Sequence, residues 1–256
     1  MSQGELPAEN VVLAEPVEPL TPVQPKPWGL WTTLSFSLAV IVAFIAIQTA
    51  VVVAFMVVQS LKTPSAGNHD CDGLLLSVAT WVSAPICLAF VVLLVKLRNQ
   101  LSIRDYLSLN RVSAGRFLAW AAILLVFVAV SDGATWLLGR DVVPPFMIES
   151  YRTAVIVPLL LATLYIAAPV FEEIFFRGFM FQGIQQSRLG NLGAVLITSL
   201  TWSAIHMQYD AYQVAMIFAG GILLGVARAR SNSVYLTIAL HSLMNVIATI
   251  ELWTCL

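Results

Sequence analysis

Seven long apolar runs, separated by short segments that hold nearly all of the charge, decide what this chain can fold into. They cover about residues 30–58, 74–95, 117–138, 154–186, 192–209, 212–227 and 233–253. A run of about 20 apolar residues matches the hydrocarbon core of a bilayer. Lipid offers backbone groups no partner, so each run is expected to satisfy its own hydrogen bonds as a helix. The expected fold is all-α, a polytopic membrane helix bundle of about seven to eight transmembrane helices. Composition points the same way: 59% of residues are hydrophobic and 11% charged, where a soluble domain carries about 25% charged residues. The mean hydropathy is +0.86.

A chain of 256 residues accommodates one transmembrane domain, 28–256, after a tail, 1–27. The tail holds six of the twelve prolines, four glutamates and one basic residue, Lys26. That composition predicts a disordered segment and is unlike the positive start of a signal peptide. Between the second and third runs lie Lys96, Arg98, Arg104, Arg111 and Arg116 against Asp105 alone. The positive-inside rule puts this loop, and with it the tail, in the cytoplasm. The loop carrying His69, Asp70 and Asp72 is then outside, and the turns at Arg188 and at Arg228/Arg230 are inside. The expected location is the plasma membrane, with the bilayer itself as a partner. The net charge of −1 is spread over short segments between the apolar runs, so nucleic acid is not an expected partner. Cys71, Cys87 and Cys255 form no C-x-x-C pair and have no metal-ligand spacing, which leaves them as small apolar fillers or loop residues. The fourth run is too long for a simple crossing: some 33 residues make roughly 50 Å of helix against a core of about 30 Å, so part of it must tilt or project.

Ionisable side chains within such runs cost roughly 2.5–3.5 kcal/mol each and mark functional sites by default. Here they are Asp132, Glu172, Glu173, Arg177, His206, His241 and Glu251. Glu173 and Arg177, four apart, can neutralise each other as an ion pair on one helix face. Glu172 is rotated about 100° from Glu173 and lacks a local cation. If the fourth and fifth runs form a hairpin turning near Leu189–Gly190, Glu173 and His206 lie about equally far from that turn. His241 and Asn245 share a face of the last run. One polar cluster of Glu, His, His and Asn near the cytoplasmic half is the economical arrangement. Asp132 is read as a helix interruption or interfacial residue, and Glu251 and Trp253 as anchors at the outer interface.

Such a set suits hydrolysis. A poorly solvated carboxylate is a general base toward a water that a histidine helps to hold, and a His/Asn pair can donate to a developing oxyanion. No serine or cysteine nucleophile is set up comparably. A zinc site from Glu172, His206 and His241 is the alternative, although H-E-x-x-H is absent and three helices would have to supply the ligands. No cofactor is expected.

At these residues the sequence resembles the CPBP family, the type II CAAX prenyl endopeptidase and bacteriocin-processing (Abi) intramembrane proteases. The family's E-E-x-x-x-R-G matches Glu172-Glu173-Ile174-Phe175-Phe176-Arg177-Gly178. Its F-x-x-x-H corresponds to Trp202-Ser203-Ala204-Ile205-His206, with Trp202 in place of phenylalanine. Its H-x-x-x-N matches His241-Ser242-Leu243-Met244-Asn245, and Gly221-Ile222-Leu223-Leu224-Gly225 before it is also similar to the family. The resemblance covers about 150–250 and implies a catalytic core there. It implies a bundle of about eight helices and an intramembrane endopeptidase acting on a membrane-associated substrate, either a prenylated CAAX protein or a pheromone or bacteriocin precursor. In that family, described both as metal-dependent and as using glutamate alone, the matching positions imply that Glu172 and His206 activate water. They further imply that His241 and Asn245 form the oxyanion site and that Glu173 with Arg177 supports it. A non-catalytic immunity or scaffold protein of the same fold is the competing reading. A transporter would call for inverted repeats with broken helices, and none is apparent.

Overall fold

The computed structural model describes residues 25–62 and 73–256. Most of the tail, and the loop with His69, Asp70, Cys71 and Asp72, lie outside the described residues. Among the described residues helices joined by turns and short loops are the regular structure, without strands. The helices are α1 (Leu30–Lys62), α2 (Gly73–Arg98), α3 (Ile103–Tyr106), α4 (Ala114–Leu137), α5 (Pro145–Arg152), α6 (Val157–Gln185), α7 (Gly190–Ala204), α8 (Ala211–Ser231) and α9 (Val234–Thr254). Six of them, α1, α2, α4, α6, α8 and α9, are long and apolar enough to cross a membrane. The protein is an integral membrane helix bundle.

Two differences from the sequence expectation concern the site. The fifth apolar run supplies a helix, α7, of only 15 residues. At 1.5 Å per residue that is about 22 Å, short of a full crossing, so the long spans number six among the described residues rather than seven. At its end His206 Nδ1 engages the Trp202 carbonyl at 2.7 Å, and the chain turns through 205–210. The fourth run starts later than the sequence suggests: residues 154–156 are not helical, and the amphipathic α5 precedes them. Residues 25–27, assigned to the tail, are also held. Trp28 Nε1 donates to the Leu94 carbonyl at 2.9 Å and Arg98 Nε to the Lys26 carbonyl at 3.0 Å.

Helix α6 is the centre of the bundle. In its most apolar window 44% of residues are buried, as in α2, against 6% in α1, which lies at the periphery. Phe171, Phe175, Phe176, Phe179 and Phe181 are buried along it, with Phe171 stacked on Phe44 of α1 at 5.0 Å and Phe179 on Tyr106 of α3 at 5.8 Å. Helix α8 packs closely on α7 because two positions lack side chains. A Cβ at Gly221 would meet Ser199 Cβ at 3.0 Å and Trp202 Cε3 at 3.1 Å, and one at Gly225 would meet Val195 Cγ1 at 3.1 Å. At one end Arg228, fully buried, ties the bundle together: it donates to the Arg177 carbonyl (2.8 Å), Asn232 Oδ1 (2.9 Å), Ser108 Oγ (2.6 Å) and Gln182 Oε1 (3.1 Å). The turn from α8 to α9 closes there on Asn232, whose φ of 50° is one that asparagine tolerates better than most residues.

Candidate active site

The site begins with an irregularity in α6. Two stretches, 163–167 and 173–180, are π-helical and flank Glu172, a geometry that recurs at functional sites. Pro169 has no N–H to offer the carbonyl of Leu164, five residues back, or of Tyr165, four back, and the Ala168 N–H goes to Thr163. Buried carbonyls need donors, and α9 provides them. Asn245 Nδ2 donates to the Leu164 carbonyl at 2.7 Å and Ser242 Oγ to the Tyr165 carbonyl at 2.8 Å. The residues of the last motif therefore dock onto the part of α6 that its proline leaves unpaired. That docking brings His241 to the two glutamates.

Glu173 and Arg177 are fully buried and joined at 2.9 Å. Glu173 Oε1 also accepts from His241 Nδ1 at 3.0 Å. His241 Nε2 then faces Glu172 Oε2 at 4.0 Å. The same Oε2 accepts the indole N–H of Trp202. Trp202 lies between the histidines, with ring centroids 5.1 Å from His206 and 5.3 Å from His241, both edge-on, and the Arg177 guanidinium sits 4.6 Å over its face. Glu172 of α6, His206 of the turn after α7, and His241 and Asn245 of α9 all line one cavity of about 450 Å³. The Glu172 side chain is 14% exposed to it.

Tyr209, which the motifs do not include, lines the same cavity and stacks on His206 at 6.3 Å. Burial, and after it the charge of Glu172, push its hydroxyl up to about 12, so at neutral pH it is a hydrogen-bond donor. An aromatic three residues past a motif histidine is the only signal it leaves in the sequence. Ser242 is a motif position of free identity, and only the freed Tyr165 carbonyl reveals its use.

Asp132 does not interrupt α4, which runs on to Leu137. Asp132 and Glu251 of α9 line a second cavity of about 230 Å³ that shares Trp202, Tyr209 and Asn245 with the first. Glu251 is therefore a cavity residue as well as one near the end of α9. Trp253 is half-exposed. Cys87 is buried and Cys255 exposed.

Nδ1 of each histidine is engaged, so the Nε2 atoms with Glu172 are the atoms that would hold a zinc ion. Among the described residues no three His, Cys, Asp or Glu side chains are grouped to share an ion.

The region that builds this cavity has known relatives. Residues 154–247 match the type II CAAX prenyl endopeptidases, Rce1-like. All three motifs, at 172–178, 202–206 and 241–245, fall inside the Rce1-like segment. The chain is also 37% identical over 128 residues to an uncharacterized 24.3 kDa protein of Escherichia coli, an alignment covering 47% of this chain and 56% of that protein. The chain thus spans about half the length of the curated relative it matches. No solved structure matches the chain.

Proposed function

We propose that the protein is an intramembrane endopeptidase that hydrolyses a peptide bond of a membrane-associated substrate, with Glu172 as the general base. The observation that carries this reading is the convergence of Glu172, His206, His241 and Asn245 on one cavity in a chain that otherwise avoids such residues. Glu172, helped by His206, takes a proton from a water, and the hydroxide oxygen bonds to the scissile carbonyl carbon. His241 Nε2 and Asn245 Nδ2 hold the oxyanion. Because Glu173 accepts the Nδ1 proton, donation from Nε2 requires a ring carrying both protons, and the Glu173 carboxylate offsets that charge. The C–N bond then breaks as Glu172 passes its proton to the leaving amine.

The chemistry admits a prenylated CAAX terminus or an unprenylated pheromone or bacteriocin precursor. We place the N-terminus and the basic 96–116 loop in the cytoplasm of a plasma-membrane protein, on the positive-inside rule. The test uses purified full chain in liposomes with two probes, a quenched-fluorescent farnesylated CAAX peptide and an unprenylated leader peptide. Cleavage of either should fall by at least ~10²-fold in Glu172→Gln, which keeps shape and hydrogen bonding but removes basicity. Undiminished turnover by a folded Glu172→Gln would overturn the assignment. Binding of a peptide without cleavage would favour a scaffold or immunity role instead.

A further inference from the structure

We propose that Trp202 is a positioning residue for Glu172, its indole N–H deciding which carboxylate oxygen acts on water. The catalytic consequence rests on the peptidase reading above; the contact itself does not. A carboxylate's terminal torsion is broad and two-fold, so a glutamate side chain alone does not distinguish its oxygens. Trp202 breaks that symmetry by donating to Oε2. Oε1 makes no hydrogen bond to protein among the described residues, which leaves it as the oxygen for the proton.

The donor is itself held in place. Trp202 is 2% exposed, with Arg177 over its face and a histidine edge-on at either side. The missing side chain of Gly221 gives the ring the room it occupies. A buried indole N–H without an acceptor is costly, so Glu172 and Trp202 satisfy each other. The main chain of the same residue fixes His206 through its carbonyl. Changing the side chain therefore removes the link to Glu172 and leaves the link to His206 intact. A phenylalanine here, as in the motif of the resembling family, would fill the site without supplying a donor.

Two experiments on the full chain in detergent micelles test this. In a proton–nitrogen correlation spectrum, the one indole signal missing from Trp202→Phe should be downfield and slow to exchange with deuterium. It should move upfield in Glu172→Gln, because a neutral amide oxygen accepts less strongly than a carboxylate. A Trp202 signal that ignores Glu172→Gln overturns the proposal.

The second experiment replaces Trp202 by benzothienylalanine, in which sulfur stands for the N–H in a ring of nearly the same shape. With the farnesylated CAAX peptide as probe, kcat should drop about 10- to 100-fold while KM stays within about twofold, the signature of an interaction that matters beyond substrate binding. An unchanged kcat overturns the positioning role even where the indole signal responds. If the wild type cleaves neither peptide, the peptidase reading fails, and the indole signal alone still decides whether Trp202 holds Glu172.

Discussion

Glu173 and Arg177 are side chains of full charge with no exposure at all, and their placement shows why residue-level chemistry here is arranged in pairs. Either charge alone in that position would be left unpaired at a cost of about 3–5 kcal/mol. Glu173→Gln and Arg177→Gln should therefore each destabilise the protein strongly, and the double replacement should be less harmful than the sum of the two. Thermal unfolding of the four proteins in one detergent measures the cycle, and strict additivity would show that the pair is uncoupled. The spacing of four residues made the ion pair legible in the sequence. The third member, His241, comes from another helix 64 residues beyond Arg177; its motif marks the residue, but no local pattern announces its contact with Glu173.

At the scale of elements, the site is built from where helices stop or deviate. Helix α8 begins at a complete capping box: Asp210 accepts from the Gln213 N–H at 2.9 Å and Gln213 Oε1 accepts from the Asp210 N–H at 3.2 Å. The Gln213 N–H is the main cause that holds the Asp210 carboxyl below its ordinary value, with Arg140 at 3.0 Å adding to it. A depressed carboxylate contributes stability that is present above the unfolded value of about 3.9 and is lost as pH falls through the folded one. Unfolding followed from neutral to acid pH should show the wild type losing an increment below about pH 4 that Asp210→Asn, a cap without a charge, does not lose. Parallel pH profiles for the two proteins would remove Asp210 from that role. Asp210 and Gln213 are three residues apart, so this cap is a local feature of the chain. The π-helical stretches of α6 are not local, because they depend on Ser242 and Asn245 arriving to satisfy carbonyls that the turns release.

For the whole molecule, the open chemical question is whether water is activated by side chains or by a metal. We expect activity on the farnesylated or leader peptide to survive prolonged dialysis against a strong chelator. Zinc ligation by His206, His241 and Glu172 would require all three within about 2.0–2.2 Å of one ion, and it would consume both the base and an oxyanion donor. Activity lost on chelation and restored by stoichiometric zinc would overturn the metal-free route while leaving the peptidase reading in place.

The sequence by itself determined the solvent of this protein, its helical class and the residue types of its site. Lipid permits few charges and no unpaired backbone, so each exception stands out against an apolar background. It also carried the three motifs, the α6–α7 hairpin and the buried ion pair, all of which are properties of short spacings. Tertiary structure alone decided which atoms meet. Trp202 could be read as a change of pocket shape, and only the packing of α7 against α6 and α8 gives its N–H to Glu172. Asp132 and Glu251 read as separate residues near the ends of two runs, yet α4 and α9 bring them to one cavity. Spacing along a helix fixes which residues share a face. What that face meets depends on crossing angles and close approaches, set here by Gly221, Gly225, Pro169 and Arg228 acting between helices.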